Sequence, residues 1–130
     1  MKELFVPFNI AKALKKKDFD EECLAIWSNV NRKTGLYTSK RYSFTIIKQK
    51  SQIHKGISAP LYQQVIDWFR EKHNIQINIT WNKFYPTHPY MWEIRPTWID
   101  QPLQPYGYSG MSETYYLSLQ RAIEEALKLI

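Results

Sequence analysis

Ile75, Ile77, Ile79 and Trp81 alternate with Gln76, Asn78 and Thr80. Successive side chains of a strand point to opposite faces, so this run describes a strand with one buried and one wet side. At about 100° per residue the same four apolar residues would scatter around a helix, which excludes one here. The run follows "SAPLYQQVIDWFREKHN" (58–74) without a break. In that stretch Leu61, Val65 and Phe69 share a helical face, flanked by Tyr62, Ile66 and Trp68, while Gln63, Gln64, Asp67, Arg70 and Glu71 gather opposite. Ser58 is a suitable N-cap, and Pro60 suits a first turn. Asn74 tolerates the left-handed conformation that ends a helix. A helix that runs straight into an amphipathic strand buries both apolar stripes by folding back onto the sheet.

The rest of the chain follows the same grammar. Ile10, Ala11 and Leu14 predict a short helix over 7–17, closed by Lys15, Lys16 and Lys17 where cations suit the dipole. "CLAIWSN" (23–29) and "YSFTIIK" (42–48) read as two strands pairing through a long basic connection. "NKFYPTHP" (82–89) reads as a loop. A strand follows from Tyr90, with Trp92 and Ile94 alternating against Met91 and Glu93. Pro96 marks an edge or the strand's departure from the sheet. Residues 99–111 read as a long loop rich in Pro, Gly and Tyr. A final helix over about 113–129 is expected, capped by Ser112 and carrying a Glu124–Lys128 pair. The order α-β-β-α-β-β-α predicts an α+β fold: a single domain over 1–130, with a mainly antiparallel four-stranded sheet and its helices mostly on one face. Neither half of so short a chain is expected to bury enough surface alone.

Charge is unevenly placed. Net charge is +6, yet residues 1–56 hold twelve Lys or Arg against five Asp or Glu, and residues 57–130 hold six against seven. From Arg32 to Lys55 there are seven basic residues and no acidic one. Arg32, Lys33, Lys40, Arg41, Lys48 and Lys50 interleave with Tyr37 and Tyr42, a combination that can neutralise phosphates and stack on bases. Lysines also keep strand edges from pairing, so a solubilising surface is the alternative reading.

Site chemistry is thin. His54, His73, His88 and Cys23 are scattered without metal-ligand spacing, so no metal and no cofactor are expected. There is no nucleophile elbow, and four glycines build no phosphate-binding loop. The chain is therefore read as non-enzymatic. The single cysteine excludes an intrachain disulfide and points to a reducing compartment. The start "MKELFVPFNIAKALKKK" lacks the order of a signal peptide, and no apolar run is long enough to span a bilayer. A soluble, cytoplasmic protein is expected.

Three blocks, "LKKKDFDEEC" (14–23), "SAPLYQQVIDWFREKHNI" (58–75) and "AIEEALKLI" (122–130), resemble a family of small proteins of unassigned function encoded by phages and prophages of Bacteroidetes. Asp18 departs from that pattern, which often has Gly as the helix terminator. The resemblance implies a phage-encoded or prophage-encoded protein acting in the cytoplasm of a bacterial host, and it implies no activity. Aromatic residues abound late in the chain, with Trp92, Trp98, Tyr106, Tyr108 and Tyr115 as candidates. Tyr and Trp are common interface anchors. The leading expectation is a protein-binding module, with Trp92, Trp98, Tyr106 and Tyr108 at the interface and an unidentified host or phage protein, such as a defence complex, as partner. A homodimer pairing its sheet edges is a further form of that reading. Nucleic-acid binding by the basic hairpin 32–55 is the alternative.

Overall fold

Asn74 ends one helix with a φ of 53° and Asp18 follows another with a φ of 61°, so both take the left-handed conformation. These reversals punctuate a chain whose computed structural model describes residues 1–29, 42–47, 56–97 and 108–130. The described chain falls into two compact units contiguous in sequence, Met1–Leu61 and Tyr62–Ile130.

In the first unit a 3₁₀ turn (Lys2–Leu4) precedes helix α1 (Phe8–Lys16), and strands β1 (Ala25–Ser28), β2 (Ser43–Ile46) and β3 (Ile57–Ala59) follow. The apolar stripe of α1, Ile10, Ala11 and Leu14, is buried as its spacing predicts. The sheet order is β2-β1-β3, antiparallel throughout. Ala25 faces Ile46 on one side and Ala59 on the other. The indole of Trp27 donates to the Val6 carbonyl at 3.2 Å, which satisfies its one buried polar atom. Phe44 and Phe8 pack edge-on to it at 5.5 and 6.2 Å, and Tyr42 stacks on Phe8 at 4.3 Å. The Val6 N–H bonds the Pro60 carbonyl at 3.0 Å and Phe5 bridges Leu61, so the two ends of this unit close on each other.

The second unit is α2 (Tyr62–His73), β4 (Ile75–Trp81), β5 (Tyr90–Pro96), β6 (Ser109–Ser112) and α3 (Tyr115–Leu127). Its strands form an antiparallel meander in the order β4-β5-β6. Both helices pack on this sheet and on each other. Val65, Trp68 and Phe69 of α2, Ile75 and Ile77 of β4, Ile94 of β5 and Leu119, Ala122, Ile123 and Ala126 of α3 are buried. The other face carries Gln76, Asn78, Thr80, Met91, Glu93 and Arg95, as the alternation predicts. Pro96 opposes Ile75 at the end of the β4–β5 ladder. Ile94 turns its N–H toward the Tyr108 carbonyl, so the missing N–H of Pro96 falls on the side away from β4 and breaks no bond of that ladder.

The α+β class agrees with expectation, and both predicted hairpins form. The single four-stranded sheet does not: among the described residues there are two three-stranded sheets. Each hairpin gains a third short strand, "ISA" or "SGMS", that carries no alternation of large apolar residues to announce it. Ser58 accordingly lies in β3 and not at a helix N-cap. Ser112 closes β6, and the cap of α3 is Thr114, whose hydroxyl accepts the Leu117 N–H at 3.2 Å. Lys128 pairs with Glu125 at 2.6 Å, one residue along from the expected partner. Asp67 and Arg70 do pair along α2.

Candidate functional site

The β4–β5 turn concentrates exposed aromatic surface. Twelve residues of α2 span about 18 Å, the length of roughly five strand residues. Folded back over β4 from Asn74, the helix covers Ile75 and Ile77, leaves Ile79 half-buried, and leaves Trp81 64% exposed. Beyond it Phe84 is 78% and Tyr85 51% exposed, and Met91 and Tyr115 are exposed nearby in the fold.

This tip is ordered by its own hydrogen bonds. The Asn82 N–H bonds the Pro89 carbonyl at 2.7 Å and closes the hairpin. Asn82 then accepts twice: its side-chain oxygen from the Phe84 N–H at 3.0 Å, its carbonyl from the Tyr85 N–H at 3.2 Å. Such an Asx turn fixes where the next residues point without calling on the ladder. Lys83 sets its ammonium 5.4 Å from the Phe84 ring centre. His88 bonds Thr87 at 3.0 Å and lies 3.4 Å from the Glu113 carboxylate, which ties the turn to the start of α3.

Aromatic contacts carry the tip back into the unit. Trp81 and Tyr90 are register partners at the last rung of the ladder. Tyr90 meets Tyr115 edge-on at 6.1 Å, Tyr115 meets Tyr116 at 5.6 Å, and Tyr116 stacks on Tyr62 at 5.8 Å. Burial pushes the Tyr62 hydroxyl up to about 12, against the opposing hydrogen bond with Gln120.

Of the aromatics singled out from sequence, Tyr115 is exposed beside the tip. Trp92 is in the core at 9% exposure, and Tyr108 is half-buried with its carbonyl in the sheet. Trp98 and Tyr106 lie outside the described residues, as do Arg32, Lys33, Lys40, Arg41, Lys48 and Lys50. The aromatics that do stand out, Phe84 and Tyr85, sit in a segment read only as a loop. The signal for them was two adjacent rings inside a turn, where polar residues are the norm.

Burial raises the Cys23 thiol to about 11, against a hydrogen bond with Ser58, so it is held protonated and is a poor nucleophile. The depression beside it, lined by Ala11, Lys15, Phe19, Gly56 and Ser58, has about 120 Å³, below the roughly 300–1,000 Å³ of small-molecule sites. Among the described residues no three His, Cys, Asp or Glu are placed to hold a metal ion, and no helix is long and apolar enough to cross a membrane. Comparison with protein-family models, curated proteins and solved structures finds no match to this chain.

Proposed function

We propose that this chain is a non-enzymatic protein-binding module that presents the β4–β5 tip to its partner. The observation that carries this reading is the tip itself: Trp81, Phe84 and Tyr85 are all more than half exposed on a turn held by three hydrogen bonds. Exposed rings cost solvation wherever they stand, and rings on an ordered turn lose little further entropy when a partner covers them. The resemblance to phage and prophage proteins places the search for that partner in a bacterial cell, among host factors and defence complexes. The test is a photo-crosslinking residue in place of Tyr85, expressed in bacterial cells. A discrete adduct is expected, lost when Trp81→Ala and Phe84→Ala are added. No adduct under any growth condition overturns the reading. Nucleic-acid binding is the second reading, favoured by the excess of seven positive charges in residues 1–56. It predicts DNA or RNA binding whose affinity falls steeply with salt.

A further inference from the structure

The two outer edges of the second unit's sheet are treated differently. At β6 the Arg121 guanidinium bonds the outward carbonyl of Met111 at 3.2 Å and the Ser112 hydroxyl at 3.4 Å, so a cation blocks that edge. Inward-directed charge is a common way to keep an edge from pairing. Among the described residues β4 has no such device. Residues 74 to 82, "NIQINITWN", contain no charge, proline or glycine. Alternation fixes which groups face out. Ile94 and its even-numbered neighbours on β5 turn toward β6, so their partners Ile77, Ile79 and Trp81 turn their N–H and C=O away from β5. Among the described residues nothing pairs with those of Ile79 and Trp81. Among the described residues the edge is open over this half, where Ile79 is half-buried and Thr80 and Trp81 are exposed.

We infer that the partner of this edge is a second copy of the chain, paired antiparallel about a two-fold axis through Thr80. This deepens the protein-binding reading and rests on it. In that register Ile79 and Trp81 of each copy exchange backbone bonds, which gives four across the axis. Opposite residues of an antiparallel pair share a face, so Ile79 meets the partner copy's Trp81 on the helix-bearing side and Thr80 meets Thr80 on the other. No like charges meet within the paired strands. Area agrees. Taking about 200 Å² for a large side chain, the exposed parts of Trp81, Phe84, Tyr85, Met91 and Tyr115 amount to roughly 550 Å² a copy. Two copies offer roughly 1,100 Å², above the roughly 1,000 Å² that a specific interface should clear.

The register is tested directly. Thr80 would form a non-hydrogen-bonded pair with its symmetry mate, with Cα atoms about 4.5 Å apart, inside the disulfide range. The full chain carrying Cys23→Ser and Thr80→Cys, treated with diamide, should run as a covalent dimer. Cys23→Ser with Asn78→Cys should not, because in this register Asn78 lies far from its mate. Light scattering on the unaltered chain should show a reversible dimer, and Trp81→Glu should raise its dissociation constant at least ~10-fold, the loss of one interface anchor. A chain that stays monomeric at its solubility limit and whose Thr80→Cys form does not link overturns the second-copy inference. If the Tyr85 crosslink then still reports a different protein, the protein-binding reading stands without it. If that crosslink is also absent, both fall.

Discussion

Gly110 faces Trp92 across the β5–β6 ladder, and the fit between them can be tested with one methyl group. A Cβ at position 110 would lie 2.6 Å from indole Cζ2 and 2.7 Å from Cε2 and Nε1. Carbon atoms settle at about 3.5–4.0 Å, so the ring of Gly110→Ala must retreat by about 1 Å. Trp92 is 9% exposed and has little room to retreat into. Overpacking of this kind costs about 1–3 kcal/mol. Trp92→Leu, whose side chain ends at its Cδ atoms, removes all three clashing atoms. It breaks no hydrogen bond, since Nε1 has no partner among the described residues. Gly110→Ala should therefore cost much less in a Trp92→Leu background, with a coupling energy of about 1 kcal/mol or more. Urea unfolding of the four proteins, followed by circular dichroism, measures the cycle. A loss below about 0.5 kcal/mol for Gly110→Ala alone, or costs that simply add, would refute the packing argument.

Three further predictions come from other parts of the molecule. At the left-handed positions, Asp18→Gly should stabilise by about 0.5–1 kcal/mol and Asn74→Ala destabilise by about 1 kcal/mol, read from thermal unfolding; opposite signs would show that the side chains and not the backbone decide. Burial holds the His73 imidazole below its ordinary value, although it sits in the last turn of α2 and 4.4 Å from the Trp68 ring centre, both of which favour a cation. Its neutral form is thus preferred in the fold: this contribution to stability is whole above about pH 6.5 and is lost as pH falls through the lowered folded value, and an NMR titration midpoint above 6.5 would contradict it. Cys23, raised to about 11, should alkylate at pH 8 at least ~10-fold more slowly in the folded chain than in urea, and equal rates would place the thiol at the surface.

What the sequence disclosed follows what periodicity can encode. The bounds of β4 and the buried stripe of α1 were legible because each carries a full repeat of its own period. The left-handed Asn74 was legible because few residues tolerate that conformation. β3 and β6 were not, because three or four residues of Ser, Gly and Ala in company with Ile or Met hold no period; partners from elsewhere in the chain make them strands. Trp81 shows a subtler limit. Alternation assigns it a face, but how far along that face the cover extends depends on helix length against strand length, two rises that differ twofold per residue. The same limit hid the tip, whose rings are exposed by where α2 runs out. Trp92 and Trp81 are alike in sequence pattern and opposite in environment for that reason.

The closure of the first unit on itself bears on how the chain is made. Phe5 and Val6 find their partners at Leu61 and Pro60, and β1 must hold β2 on one side and β3 on the other before its sheet is complete. These are contacts of high sequence separation, whose loop entropy is lost before any bond rewards it. In the second unit every strand pairs with its neighbour in sequence. On a ribosome the first unit thus cannot finish until residue 61 has emerged, and α1 must wait with its apolar stripe unburied. The second unit pairs its strands in chain order, although α3 must still return to pack on α2 and β4. The nascent chain should therefore stay open to chaperone capture through residues 5–14 until the residues of β3 have left the exit tunnel.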